Sequence, residues 1–152
     1  MKASSKTVAG VVFLIVIIGS FWFLVGSPLL GVAFEEIDKG EVSGYELRDN
    51  VTIRDDSAWE TLWTEMQSIY SHPEELPYID FTEAIVIAVF RGYCGSNGYS
   101  ITITRIVVTT ESYIVYVHES GLGGPLTVVT YPYHVVKVSG HPLNLQVQFI
   151  FS

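Results

Sequence analysis

The side chains best suited to metal binding or nucleophilic chemistry in this 152-residue sequence are four histidines and one cysteine. His118, His134 and His141 fall in or beside stretches of β character, and Cys94 sits among glycines, which favours exposure. Such residues need only meet in space, so a fold could assemble a metal site or a Cys–His pair from them. No two of them show compact ligand spacing such as Cys-x-x-Cys or His-x-x-x-His. The expectation is therefore no metal, no cofactor and no catalytic residue, with Cys94 a free or intermolecularly paired thiol. The paired carboxylates Asp55-Asp56 and Glu74-Glu75 fall at a helix start and in a loop. They read as solvated charge and as complement to a helix N-terminus. Ser120-Gly121-Leu122-Gly123-Gly124 lacks the Lys-Ser/Thr and the helix that complete a phosphate loop.

What remains is binding. Two loops combine glycine with polar and aromatic side chains: Arg91, Tyr93, Asn97 and Tyr99 in the first, Leu122, Gly123 and Gly124 in the second. Glycine lets a backbone approach a partner closely, and tyrosine anchors interfaces. These seven residues are the candidate partner-binding positions. The alternative is that the glycines serve only tight turns and a bulge.

The elements that must hold these loops are mostly strands. Ile85 to Phe90 is continuously apolar and suits a strand covered on both faces. Tyr99 to Arg105 alternates, with Ser100, Thr102 and Thr104 opposite Tyr99, Ile101 and Ile103. Two such runs joined by a turn-rich loop are most simply an antiparallel pair. Tyr113–His118, Leu126–Tyr131, Tyr133–Val138 and Leu143–Phe151 read as further strands, with Pro132 at an edge or bulge. Upstream, Asp49-Asn50 reads as a turn between Tyr45–Arg48 and Val51–Arg54. Asn50-Val51-Thr52 fits the N-glycosylation sequon. One helix opens at Asp55-Asp56-Ser57, where Ser57 and Glu60 have capping-box spacing. Its Trp59, Leu62, Trp63, Met66, Ile69 and Tyr70 form an apolar stripe, most simply a face packed on a sheet. The expected fold is mainly β (α+β): an antiparallel β sandwich or curled sheet, with the helix closing one end.

The N-terminus is different in kind. Thr7 to Phe34 carries no charge, and Val8 to Val25 is almost wholly apolar. A bilayer-spanning helix needs about 20 such residues. Lys2 and Lys6 precede the run and Glu35, Glu36 and Asp38 follow it, which orients the chain with its C-terminal part outside. Residues 1–33 thus read as a single-pass membrane anchor or uncleaved signal segment, 34–42 as a linker and 43–152 as an extracytoplasmic domain. Gly31-Val32-Ala33 supplies small residues for the alternative, a cleaved signal that releases a secreted domain. Beyond residue 34 there are 16 Asp and Glu but only six Lys and Arg, with no basic run, which argues against nucleic acid as a partner.

Several motifs together carry a resemblance. They are the helix with Trp59 and Leu62-Trp63, Ile79-Asp80-Phe81 before an apolar strand, and Gly92 after it. Gly98-Tyr99-Ser100 then opens the next strand, and Pro132 to Lys137 forms a later one. In this order they resemble the C-terminal domain of the protease-complex subunit PrcB, over roughly Ile37 to Phe149. The resemblance implies an extracytoplasmic, non-enzymatic domain that associates with or stabilises another exported protein, a protease among the candidates. The naming member of that family is lipid-anchored, whereas this chain has an apolar N-terminal run. A second resemblance is to chagasin-like cysteine-protease inhibitors. It rests on Asn97-Gly98-Tyr99, Gly121–Gly124 and Tyr131-Pro132-Tyr133, although the last spacing is too short for a full strand plus loop.

Overall fold

A computed structural model describes residues 31–152, which form one compact unit. The expected membrane-spanning run lies outside the described residues; among those described, no helix is long and apolar enough to cross a membrane. The described chain runs β1 (Glu35–Gly40), β2 (Arg48–Ile53), α1 (Asp56–Gln67), β3 (Ala84–Arg91), β4 (Ser100–Val108), β5 (Ser112–Ser120), β6 (Tyr133–Ser139) and β7 (Gln146–Phe151).

The strands make two sheets, β1-β6-β3-β2 and β4-β5-β7, and no closed barrel. The sandwich-like architecture follows from β3, which is buried along almost its whole length. Ile85, Ile87 and Val89 on one face meet Ile101, Ile103 and Ile106 of β4 and Tyr113, Val115 and Val117 of β5. Val86, Ala88 and Phe90 on the other face meet Trp59, Leu62, Trp63 and Met66 of α1. Alternation of side chains along a strand lets one apolar segment serve two cores at once. The helix therefore covers the outer face of the four-stranded sheet, where the sequence suggested that it closes an end.

Three expectations about pairing are corrected. β3 and β4 are not an antiparallel pair: β2 and β6 occupy both edges of β3, so the Gly-rich connection carries the chain across to the second sheet. Asp49 and Asn50 do not turn; β2 runs straight through them against β3, with Asn50 opposite Val89 and exposed. The last strand pairs in parallel with β5, which makes the smaller sheet mixed. In addition, β4 carries a bulge between Ile103 and Arg105, which shifts its inward face from Ile101 and Ile103 to Ile106.

The expected linker over 34–42 is an edge strand, β1, paired with β6. Its sequence, Glu-Glu-Ile-Asp-Lys-Gly, has no apolar alternation. Polar partners hold it instead. Glu35 pairs with Lys137 at 2.7 Å, Glu36 accepts from His134 at 3.0 Å, and Asp38 accepts from the Tyr133 hydroxyl at 2.9 Å. The compact unit begins earlier still, at Gly31, since Val32 donates its N–H to the Ile106 carbonyl.

The helix cap is also displaced. Asp55, not Ser57, is the N-cap, and its Oδ1 accepts from Ala58 N at 2.9 Å. Aspartate binds the free amides of a first turn at least as well as serine does, so the earlier residue takes the role. The tryptophans of α1 fix the return segment: Trp59 Nε1 donates to Pro77 O and Trp63 Nε1 to Glu74 O.

Candidate functional site

The two loops singled out in the sequence meet. Asn97 is the clasp between them: its carbonyl accepts from Gly124 N, and its Oδ1 accepts from Leu126 N at 3.1 Å. Three glycines at the junction, Gly98, Gly121 and Gly123, have φ of 81°, 105° and 82°, a region that side chains with a Cβ rarely adopt. A Cβ on Gly121 would also run into the Gly98 carbonyl oxygen. The glycines thus do serve turns, and those turns bring the loops into contact.

Arg91, at the end of β3, ties the junction to both sheets. Its Nη1 donates to the Ser100 carbonyl at 2.8 Å and to the Ser120 carbonyl, and its guanidinium lies 4.6 Å from the centre of the Tyr99 ring. Beside it, Arg48 binds Glu119 at 2.6 Å and donates to the Arg91 carbonyl. Arg48, Arg91, Tyr93, Cys94, Gly95 and Tyr99 line an open cleft of about 340 Å³.

No sequence motif singles out Arg48. Only its register opposite Arg91 brings it to the cleft, and that register depends on sheet pairing. Tyr93 is 68% exposed and meets the ring of Tyr131 edge to face, with centroids 6.2 Å apart. Leu122 is fully exposed.

The segment expected as strand Leu126–Tyr131 is not one. Its pairing is a single bridge, in which Thr130 exchanges backbone hydrogen bonds with Cys94. β-branched residues read as a strand, yet no continuous ladder forms along this segment beyond that bridge, and Leu126, Val128 and Val129 stand exposed. With Tyr93 and Leu122 they put five exposed large apolar side chains on the two joined loops and the segment that follows them.

Cys94 is buried, contrary to the exposure that its glycine neighbours suggested. Burial pushes its thiol pKa up, while Arg91 opposes the shift. The histidines scatter in role. His134 is buried between the sheets and accepts from Ile103 N. His118 is exposed on β5 beside Ser152, and His141 lies in the turn before β7. Among the described residues no group of three or more His, Cys, Asp or Glu side chains is placed to hold a metal ion.

Residues 85–139 match the family described as PrcB C-terminal. The match runs from β3 through β6 and contains both loops and the cleft-lining residues except Arg48. It is shorter than the span over which the sequence motifs suggested the likeness. No curated protein and no solved structure matches the chain.

Proposed function

We propose that residues 31–152 form an extracytoplasmic, non-enzymatic binding domain that associates with another exported protein, such as a protease, through the joined loops. The observation that carries this reading is the exposure of the large apolar side chains Tyr93, Leu122, Leu126, Val128 and Val129 on and just after loops clamped by Asn97 and Arg91. Rigid strands displaying exposed loops are the usual setting for recognition. The likeness to the PrcB C-terminal family supports a protease complex as the setting.

The test is a photo-crosslinking residue at Leu122 of the full-length chain, expressed in its own membranes. It should capture an exported protein, whereas the same residue at Tyr78, exposed on the return segment after α1, should not. Equal capture from both positions, or none from Leu122, would remove the loops from the interface.

One observation favours a second reading, inhibition of a cysteine protease. Asn97-Gly98-Tyr99, Gly121–Gly124 and Tyr131 come together at the loop end. Loss of papain-type peptidase activity on addition of the full-length chain would support it, and unaltered activity at saturating chain would dismiss it.

A further inference from the structure

We propose that the cleft between Arg48 and Arg91 binds a carboxylate presented by an apolar peptide segment. This rests on the loop-end reading above and names the chemistry that the loop end recognises.

The domain is strongly acidic, yet two of its six Lys and Arg side chains beyond residue 34 line this one cleft. Glu119 offsets part of that charge by pairing with Arg48 Nη2, which leaves two guanidiniums facing one carboxylate. A half-buried cation in an open cleft attracts an anion more strongly than a fully solvated one.

Arg91 is also pre-set for the task. Its Nη1 is committed to Ser100 O and Ser120 O, and Tyr99 supports one face of the guanidinium. Its Nε and Nη2 make no hydrogen bond among the described residues. Those two atoms form one edge of the planar fork, whose donor spacing matches the two oxygens of a carboxylate. Because the side chain is already held, little rotamer freedom is lost on binding.

The surroundings specify the rest of the ligand. Tyr93 lines the cleft, and Leu122 and Leu126 stand on the same joined loops, so groups flanking the carboxylate meet apolar surface. A chain-terminal carboxylate and an Asp or Glu side chain share this chemistry.

The experiment titrates the full-length, 15N-labelled chain with three small probes and follows its amide and arginine Nε signals. The probes are N-acetyl-leucine (terminal carboxylate), N-acetyl-glutamic acid α-amide (side-chain carboxylate) and the neutral N-acetyl-leucinamide. At least one carboxylate should give saturable shifts at Arg91 Nε, Tyr93, Gly95 and Tyr99, and the better of the two identifies the source. The neutral amide should leave these signals in place.

Arg91→Lys keeps the charge and removes the fork, and should weaken the carboxylate about tenfold, the scale of one charge-assisted hydrogen bond. Arg48→Gln, which leaves the Ser100 and Ser120 contacts intact, should weaken it similarly and decides the matter if Arg91→Lys disturbs the fold. Equal shifts from amide and carboxylate, no shift from any probe, or unchanged affinity in Arg48→Gln would overturn the proposal. The Leu122 crosslink is read separately, so the carboxylate site can fall while the loop-end interface stands.

Discussion

His134 Nδ1 accepts the backbone N–H of Ile103 at 2.8 Å and so joins β6 of one sheet to β4 of the other. An amide N–H can only donate, so Nδ1 carries no proton; Nε2 carries it and donates to Glu36 at 3.0 Å. The ring is 2% exposed. Burial is the largest influence on its pKa and lowers it; Glu36 and Asp38 oppose that shift and Lys39 adds to it. A neutral imidazole is thus built into the contact between the sheets.

The consequence is a defined pH dependence. The unfolded chain takes up a proton at this histidine near pH 6.5, the ordinary imidazole value, and the folded chain only below that. Between the two values the unfolded state binds more protons, so stability is full above about 6.5 and falls as pH drops through that window. In His134→Gln this contribution is absent. Melting curves from about pH 7.5 to about pH 5.5 should show wild type losing its advantage over the variant. A growing advantage on acidification would contradict the neutral ring.

The helix face is structural. Trp63 is buried against the outer face of the four-stranded sheet, so Trp63→Ala should cost about 3–5 kcal/mol in denaturant unfolding. Trp63→Phe keeps most of the apolar area and loses the bond to Glu74 O, and should cost about 1 kcal/mol beyond the volume change. A near-neutral Trp63→Ala would show that this face is not packed.

Two glycines with positive φ should respond differently to alanine. Gly121→Ala meets both an unfavourable backbone region and the Gly98 carbonyl. Gly140→Ala meets the same region with nothing within 4 Å. The second should cost about 1 kcal/mol, the left-handed penalty alone, and the first clearly more. Equal costs would mean that the loop junction yields freely.

Cys94 should behave as a protected thiol. Its pKa is raised by burial, which leaves less thiolate at neutral pH than an ordinary cysteine has. Disulfide-exchange reagents at mildly alkaline pH should react slowly with the native chain and quickly once it is unfolded. Equal rates in the two states would place the sulfur at the surface.

Much of this architecture is legible in local pattern, and its failures have a common cause. The β3 run from Ile85 to Phe90 states its own burial, and the α1 stripe states its packed face. Neither states which strands become neighbours. β1 is invisible because Glu35, Glu36 and Asp38 are held by Lys137, His134 and Tyr133, residues about a hundred positions away. Leu126–Tyr131 misleads in the opposite sense, since β-branched composition cannot supply a pairing partner. At the candidate site, glycines and tyrosines mark the two loops, and their junction through Asn97 joins what the sequence could only set side by side. Arg48 needed the β2–β3 register, and the burial of Cys94 needed its bridge to Thr130.

If the joined loops hold a partner, quantitative capture of the protein crosslinked at Leu122 reads that binding out. Tyr93 stands 68% exposed on the first loop, and Tyr78 stands 87% exposed on the return segment after α1. Tyr93→Ala should weaken capture by more than about 1 kcal/mol, roughly fivefold, while its melting temperature stays at the wild-type value. Tyr78→Ala should change neither quantity. Undiminished capture by a folded Tyr93→Ala chain would mean that the first loop does not hold the partner.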